Sequence, residues 1–193
     1  MEMSLLEYRR IALMSLWTGL IVTVGMVFAL IPNIELLILS AFLGGVALGP
    51  RRGFIVAVVG EAIFSALNPI GSGLGFPILY IFQILSVGIS GLTGGILSSY
   101  LARHHNYLKT TIILSMVGFL LTLIYDALTA LSFPISSGMT EGTIWATLTT
   151  GLIFFVLHLV SNTVLFGLFG PGLVQLVHRQ LEMHGLMRGQ HAS

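Results

Sequence analysis

The stretch TTIILSMVGFLLTLIYDALTALSF, residues 110–133, decides the fold class of this chain. Its only acidic or basic side chain is that of Asp126. A helix needs about 20 largely apolar residues to cross the hydrocarbon core of a bilayer, so this stretch is long enough for one crossing. A helix on the surface of a water-soluble protein would carry a polar face, which this stretch lacks. Residues 110–133 therefore predict a transmembrane helix.

The composition of the whole chain agrees with this prediction. Of 193 residues, 55% are hydrophobic and only 8% are charged, whereas soluble domains carry about 25% charged residues. So little polar surface cannot cover a water-exposed globule, and lipid is the expected solvent. Cysteine is absent, which excludes disulfides and thiolate sites in this chain.

Apolar runs predict six crossings in a single domain that spans residues 1–193. The second and third runs are short and are separated by the charged turn Pro50-Arg51-Arg52-Gly53. The last run is too long for one perpendicular crossing, and we expect Gly170-Pro171-Gly172 to end its membrane part. The first run is too long for a cleaved signal peptide and is expected to stay as a helix. The predicted spans are 11–31, 33–49, 53–68, 77–101, 110–133 and 143–177, with cytoplasmic tails at 1–10 and 180–193.

The basic residues predict the orientation. With six spans, all eight Lys and Arg side chains fall on one side of the membrane. The positive-inside rule then places both termini in the cytoplasm, an all-α, N-in/C-in arrangement. The loops at 68–77 and 133–142 are predicted to be external, either as plain connections or as a roof over a pocket. The basic residues are Arg9, Arg10, Arg51, Arg52, Arg103, Lys109, Arg179 and Arg188.

Five polar side chains fall inside the apolar spans at similar depth. A carboxylate at the centre of a membrane helix costs about 2.5–3.5 kcal/mol on insertion scales, so each one needs a functional reason. At 1.5 Å per residue, Glu61, Gln83 and Asp126 lie about 9–12 Å below the external end of their spans. Tyr80 shares a helix face with Gln83, and Tyr125 is next to Asp126. We expect them to line a polar pocket that opens outward: Glu61, Tyr80, Gln83, Tyr125 and Asp126.

Two further polar residues, His158 and Asn162, stand four apart in the last span and share one helix face. They are expected either to form the floor of the pocket or to make a hydrogen-bonded pair between helices. A metal centre is not expected, because no second histidine lies at comparable depth. Glu35 and Glu141 lie nearer the external surface and add negative potential there.

Catalytic motifs are missing from the sequence. Ser72 lies in Gly-Ser-Gly without the Gly-x-Ser-x-Gly spacing of a nucleophile elbow. Tyr125-Asp126 resembles half of the intramembrane aspartyl protease signature, but no Gly-x-Gly-Asp accompanies it. The glycine-rich segment 71–75 is not followed by the lysine of a Walker A motif. We therefore expect no enzyme activity and no cofactor in this chain, and the pair Arg51-Arg52 is too small for a nucleic-acid site.

Small residues recur at helical spacing in several spans. Such stripes let helix backbones approach closely in lipid. In the second and fourth spans, Gly45 with Gly49 and Gly91 with Gly95 predict internal packing. In the first span, Ser15 and Gly19 predict a docking surface for another membrane subunit.

The chain resembles the substrate-binding S components of energy-coupling factor (ECF) vitamin transporters. The resemblance lies in the turn LGPRRG, residues 48–53, and in the following VVGEA, residues 58–62. Asn162 falls where many members place a ligand-binding polar residue, and Ser15 and Gly19 stand closest to the stripe by which the family's first helix meets its partner. The resemblance implies a multi-pass protein of a prokaryotic plasma membrane. It also implies a transmembrane coupling subunit and two ATPase subunits, so that ATP is used by the partners.

Three functions follow as hypotheses from these observations. The first is a binding subunit that captures a small vitamin or related nutrient from outside. The second is a self-sufficient transporter in which Glu61 and Asp126 relay protons, and the third is an intramembrane enzyme. The outer half of the predicted bundle has carboxylates but no Lys or Arg, so a cationic or neutral ligand is preferred.

Overall fold

A computed structural model describes residues 5–31, 36–68, 73–103 and 106–184, and within these ranges the chain folds into seven α-helices. A short 3-10 turn at Gly73–Gly75 precedes the fourth helix. The helices are α1 (Leu5–Phe28), α2 (Leu37–Leu48), α3 (Pro50–Leu67), α4 (Pro77–Arg103), α5 (Tyr107–Ser137), α6 (Glu141–Leu168) and α7 (Gly170–Met183).

Four of the described helices are long and apolar enough to cross a membrane: α1 from Glu7, α4, α5 and α6. The helix α2 is more apolar than these four but has only 12 residues. The helix α3 carries Arg51 and Arg52 in its first turn. The all-helical fold and the character of a multi-pass membrane protein, both predicted from the apolar runs, are confirmed.

The short helix α2 forms the centre of the bundle. All of its 12 residues are buried, because it packs against α1, α3, α4 and α7 and also touches α5 and α6. Phe42 on α2 meets the ring edge of Phe166 on α6, with 5.5 Å between the ring centroids. All sides of α2 pack against other helices, so none of them needs to be polar.

Glycines bring α2, α3 and α4 into backbone contact. A Cβ on Gly45 would collide with the carbonyl of Gly91, and one on Gly94 would collide with the carbonyl of Phe42. Gly53 on α3 would meet the backbone of both Gly45 and Gly91. Gly45, Gly91 and Gly95 therefore serve internal packing, as predicted. Gly49 does not, because a Cβ there would meet no described atom within 4 Å.

The helices α5 and α6 form an antiparallel pair along much of their length. Toward the start of α5, a Cβ on Gly118 would lie 2.6 Å from the ring of Phe166. Farther along, the side chains of Asp126 and His158 meet. These two contacts fix the register of the pair.

The predicted last span, 143–177, is two helices. α6 ends at Leu168, and α7 begins at Gly170 with Pro171 in its first turn, the break that Gly170-Pro171-Gly172 predicted. α7 packs across α2, and there the Oγ of Ser98 lies 3.1 Å from the Nε2 of His178. The same Oγ donates to the carbonyl of Val46 at 2.9 Å.

The predicted loop at 133–142 is largely helical, which corrects the sequence analysis. α5 continues through Pro134 to Ser137, and α6 begins at Glu141. Proline removes one helical hydrogen bond, but in an apolar bundle an intact helix still satisfies more backbone groups than a loop would. The hydroxyls of Ser132 and Ser136 bond carbonyls within the same helix.

The two ends of the bundle differ in the helix termini that they gather. One, the Gly73 end, holds the end of α3, the start of α4, the end of α5 and the start of α6. The other, the Arg51 end, holds the turn between α2 and α3, where Gly49 has a φ of 83°. It also holds the end of α4, since a Cβ on Gly95 would collide with Pro50.

Candidate ligand-binding site

A line of hydrogen-bonded side chains joins α3, α4 and α5 on the Gly73 side of the bundle. The Oγ of Ser65 on α3 donates to the Oε1 of Gln83 on α4 at 2.9 Å. The Nε2 of Gln83 in turn donates to the hydroxyl of Tyr125 on α5 at 3.2 Å. An amide side chain has both a donor and an acceptor, so Gln83 can connect two hydroxyl groups on different helices.

The line continues from α5 to α6. The rings of Tyr125 and His158 meet edge to face, with 5.7 Å between centroids. The Nδ1 of His158 lies 2.7 Å from the Oδ1 of Asp126, and both residues are buried. The hydrogen-bonded pair that the sequence left as one of two options for His158 is present, with Asp126 as its partner. Polar groups from four helices thus adjoin one another inside an apolar bundle. We call this row of side chains the polar line; it runs from Ser65 through Gln83 and Tyr125 to His158 and Asp126.

Asn162 lies one helical turn from His158, as its spacing predicted. It is fully buried, and its Nδ2 donates to the backbone carbonyl of His158 at 3.3 Å. Its Oδ1 is buried without a hydrogen-bond partner among the described residues, as are the Oδ2 of Asp126 and the Oγ1 of Thr122. Buried polar atoms are normally satisfied by protein, water or an ion, so this group marks a place where a further component fits.

Glu61 and Tyr80 belong to the same region. Glu61 is only 1% exposed and precedes Ser65 by four residues, so the two share one face of α3. The hydroxyl of Tyr80 donates to the carbonyl of Ala62, next to Glu61, at 3.0 Å. The seven side chains predicted to bind a substrate therefore lie along the successive contacts of α3 with α4, α4 with α5, and α5 with α6.

The 3-10 turn covers the Gly73 side of this region. A Cβ on Gly73 would collide with the Oγ of Ser65 and would lie 3.0 Å from the ring of Tyr80. The absence of a side chain is what lets the turn approach so closely. The first predicted roof segment, 68–77, thus contacts the polar line through its described part; Ser72 lies outside the described residues.

The site is deeper in α5 than expected. Because α5 runs on to Ser137, Asp126 lies about 16 Å from the end of its helix at 1.5 Å per residue, rather than about 12 Å. Glu61, with α3 ending at Leu67, keeps its expected depth of about 9 Å.

The remaining predicted residues lie apart from the polar line. Glu141 is exposed in the first turn of α6, and Glu35 lies outside the described residues. Ser15 and Gly19 are exposed on α1, and a Cβ on Gly19 would meet no described atom within 4 Å. They face away from the bundle, the direction that a docking surface needs.

Sequence reasoning missed Ser65 and Thr122. Each stands four residues from a predicted carboxylate, Ser65 after Glu61 and Thr122 before Asp126, and so shares its helix face. That spacing could have identified them. However, hydroxyl residues are common in membrane helices, and many of them only bond the backbone carbonyl four residues back in the same helix. Thr163 does so with Leu159.

The arrangement suits binding better than bond-breaking chemistry. The Oγ of Ser65 donates a hydrogen bond to Gln83, and the Nδ1 of His158 is hydrogen-bonded to Asp126. A nucleophile needs a base within hydrogen-bonding reach, and Ser65 meets an amide instead. Tyrosine rings, an amide and carboxylates offer stacking surfaces and acceptors to a small molecule.

Comparison with known proteins does not place this chain in a family: no family model, curated protein or solved structure matches it.

Proposed function

We propose that this chain is the membrane-embedded substrate-binding subunit of an ECF-type importer, which captures a small vitamin or related nutrient from outside the cell. The observation that carries the proposal is the polar line from Ser65 through Gln83 and Tyr125 to His158 and Asp126. Polar groups in membrane helices are costly and usually functional.

The proposed arrangement has six crossings, with α2 and α3 as two short ones, and both ends in the cytoplasm of a prokaryotic cell. The Gly73 end would then face outward, so that the turn at Gly73 closes the site from the side where substrate arrives. The segregation of all eight basic residues supports this orientation.

The proposal includes partners. An ECF transmembrane coupling subunit would dock on the exposed face of α1 that holds Ser15 and Gly19, and two ATPase subunits would supply the energy. Small exposed residues suit helix docking, because they let a partner backbone come close.

The proposed ligand is cationic or neutral, such as a thiamine-like or pyrimidine-like ring stacked near Tyr80 or Tyr125. Glu61 and Asp126 are both buried at the site, and an anionic ligand would meet repulsion there. The test is binding of a panel of charged and neutral vitamins to the purified wild type, Asp126→Asn and Glu61→Gln. Tight binding of an anionic vitamin, unchanged in both variants, would rule this preference out.

Native mass spectrometry of gently purified protein tests the binding function itself. We expect a co-purified small molecule that is lost in Gln83→Leu, since this change removes the two hydrogen bonds that join the Gln83 side chain to α3 and α5. Tyr107→Phe is a suitable control, because Tyr107 is exposed at the opposite end of α5. A molecule retained equally in both variants would contradict the assignment of the site.

The alternative is a self-sufficient proton-coupled transporter, which the buried Asp126–His158 pair favours as a proton relay. Proteoliposomes that contain only this chain separate the two proposals. Uptake driven by a proton gradient would support the alternative. Uptake that requires the coupling and ATPase subunits would support the importer.

A further inference from the structure

Three oxygen atoms in the α5–α6 interface are buried with no hydrogen-bond partner in the described part of the chain: the Oδ2 of Asp126, the Oγ1 of Thr122 and the Oδ1 of Asn162. Thr122 and Asn162 are fully buried, and Asp126 is 7% exposed. Leaving one such atom unsatisfied costs about 1–3 kcal/mol, and more for a charged group. Three together call for a component that satisfies them jointly.

The register of the two helices places the three residues within about one helical turn of one another. Gly118 faces Phe166, and Asp126 faces His158. In an antiparallel helix pair, the residues midway between these contacts are Thr122 on α5 and Asn162 on α6. Asp126 lies one turn above Thr122 on the same face. The three residues therefore belong to one stretch of the α5–α6 interface, about one helical turn long.

The carboxylate of Asp126 indicates which kind of component would bind between the two helices. The other carboxylate oxygen, Oδ1 of Asp126, lies 2.7 Å from the Nδ1 of His158. A neutral imidazole can donate one N–H to a carboxylate without removing its negative charge. One buried negative charge is balanced by one positive charge, whereas a divalent ion would leave an excess. Carboxylate, amide and hydroxyl oxygens are ligands for hard cations.

We propose that Thr122, Asp126 and Asn162 form a sodium-binding site between α5 and α6. The close packing of these helices, with Gly118 and Gly167 against side chains of the opposite helix, favours Na⁺ over the larger K⁺. The sequence argued against a metal centre from the lack of a second histidine, but this site takes its ligands from oxygen alone. His158 acts as a positioning residue that holds the Asp126 carboxylate.

This proposal does not depend on the importer function, because the ion would bind to the chain alone. The experiment is thermal unfolding of the purified protein, without added vitamin, in NaCl, KCl or choline chloride at equal ionic strength. A ligand that binds only the folded state raises its stability with concentration. We expect a saturable rise in melting temperature with Na⁺ that K⁺ and choline do not produce.

Thr122→Val is the informative variant, because it removes one ligand oxygen and nearly preserves shape. We expect its apparent affinity for Na⁺ to fall by about tenfold or more, a loss usual even for residues just outside a ligand shell. Thr111→Val is the matched control: its Oγ1 is also buried on α5 with no partner among the described residues, but it lies about three turns away from Thr122. The control is expected to keep the full response to Na⁺.

Two results would overturn the proposal. One is equal stabilisation by all three salts, which would mean that water or the protein itself satisfies these oxygens. The other is an unchanged Na⁺ response in Thr122→Val. Asp126→Asn should also abolish the response, but the conclusion does not require that this variant folds.

Discussion

Tyr125 is the residue at which the two parts of the polar line meet. Its hydroxyl accepts a hydrogen bond from α4, and its ring contacts His158 on α6. It also packs against two clusters of buried apolar side chains, one that includes Ile21 and one that includes Phe42. One side chain therefore couples the apolar core to the polar site.

Changing Tyr125 to Phe keeps the ring and removes the acceptor for Gln83. We expect a loss of about 0.5–1.5 kcal/mol in the free energy of unfolding, the usual contribution of one hydrogen bond. Thermal unfolding in detergent measures it, with Tyr107→Phe at an exposed position as the control. If both variants lost equally little, the hydrogen bond from Gln83 would not contribute to stability.

His178 on α7 predicts a pH dependence. Burial lowers the pKa of His178 below its ordinary value of 6.5, against a smaller opposing effect of the Glu182 carboxylate. The unfolded chain then takes up the proton at a higher pH than the folded one. The stabilisation from neutral His178 is complete above about pH 6.5 and is lost as the pH falls through the lower folded-state pKa.

The measurement is the melting temperature between pH 8 and pH 5 for the wild type and for His178→Gln. The wild type should lose stability on acidification more steeply than the variant, which has no group to protonate there. Parallel curves would show that His178 does not contribute to the pH dependence.

Part of the site was readable at the level of single residues. Glu61, Gln83 and Asp126 stand out because ionisable and amide groups are rare in apolar runs. The pairing of Asp126 with His158 was not readable, because it depends on how α5 and α6 are aligned. A sequence gives the spacing within one helix but not the register between two.

At the scale of helices, glycine contacts determine how closely α2, α3 and α4 pack. Gly94→Ala should destabilise the protein by about 1–3 kcal/mol, the usual cost of overpacking, or prevent folding altogether. The added Cβ would lie 2.7 Å from the carbonyl carbon of Phe42. Fluorescence-detected gel filtration and thermal unfolding measure the effect.

Gly172→Ala provides the comparison, because a Cβ at this position on α7 would meet no atom of the described residues within 4 Å. It should fold and melt like the wild type. Equal behaviour of the two variants would mean that the helices can separate at little cost.

Gly94 is packed against a neighbouring helix, whereas a Cβ on Gly19 of α1 would meet no described atom within 4 Å. Gly19→Leu should leave folding and ligand binding intact while it blocks association with a coupling subunit. Co-purification with the coupling subunit and ligand binding are the two measurements. If both were lost together, the stripe would serve internal packing.

Apolar runs predicted the helices well but their ends less well. The span at 110–133 became a helix from Tyr107 to Ser137, because proline and serine look like loop formers when read without their surroundings. The break after Leu168 was predictable, because glycine and proline there act together on the backbone.

For the molecule as a whole, the proposed orientation can be tested with single cysteines, since the chain has none of its own. Cysteines at Ser72 and Ser137 should react with a membrane-impermeant thiol reagent added outside. One at Ser193 should react only after the membrane is opened. External labelling at Ser193 would contradict the six-crossing arrangement with both ends inside.

The buried helix α2 has a consequence for how the protein is made. Its 12 residues extend about 18 Å, short of the roughly 30 Å of a bilayer core. During synthesis α2 leaves the ribosome before α3, α4 and α7, which later surround it. It cannot keep a stable transmembrane position at that stage, so its final placement must await the helices that come after it. We therefore expect the insertion of α2 to be completed late, together with the helices that surround it.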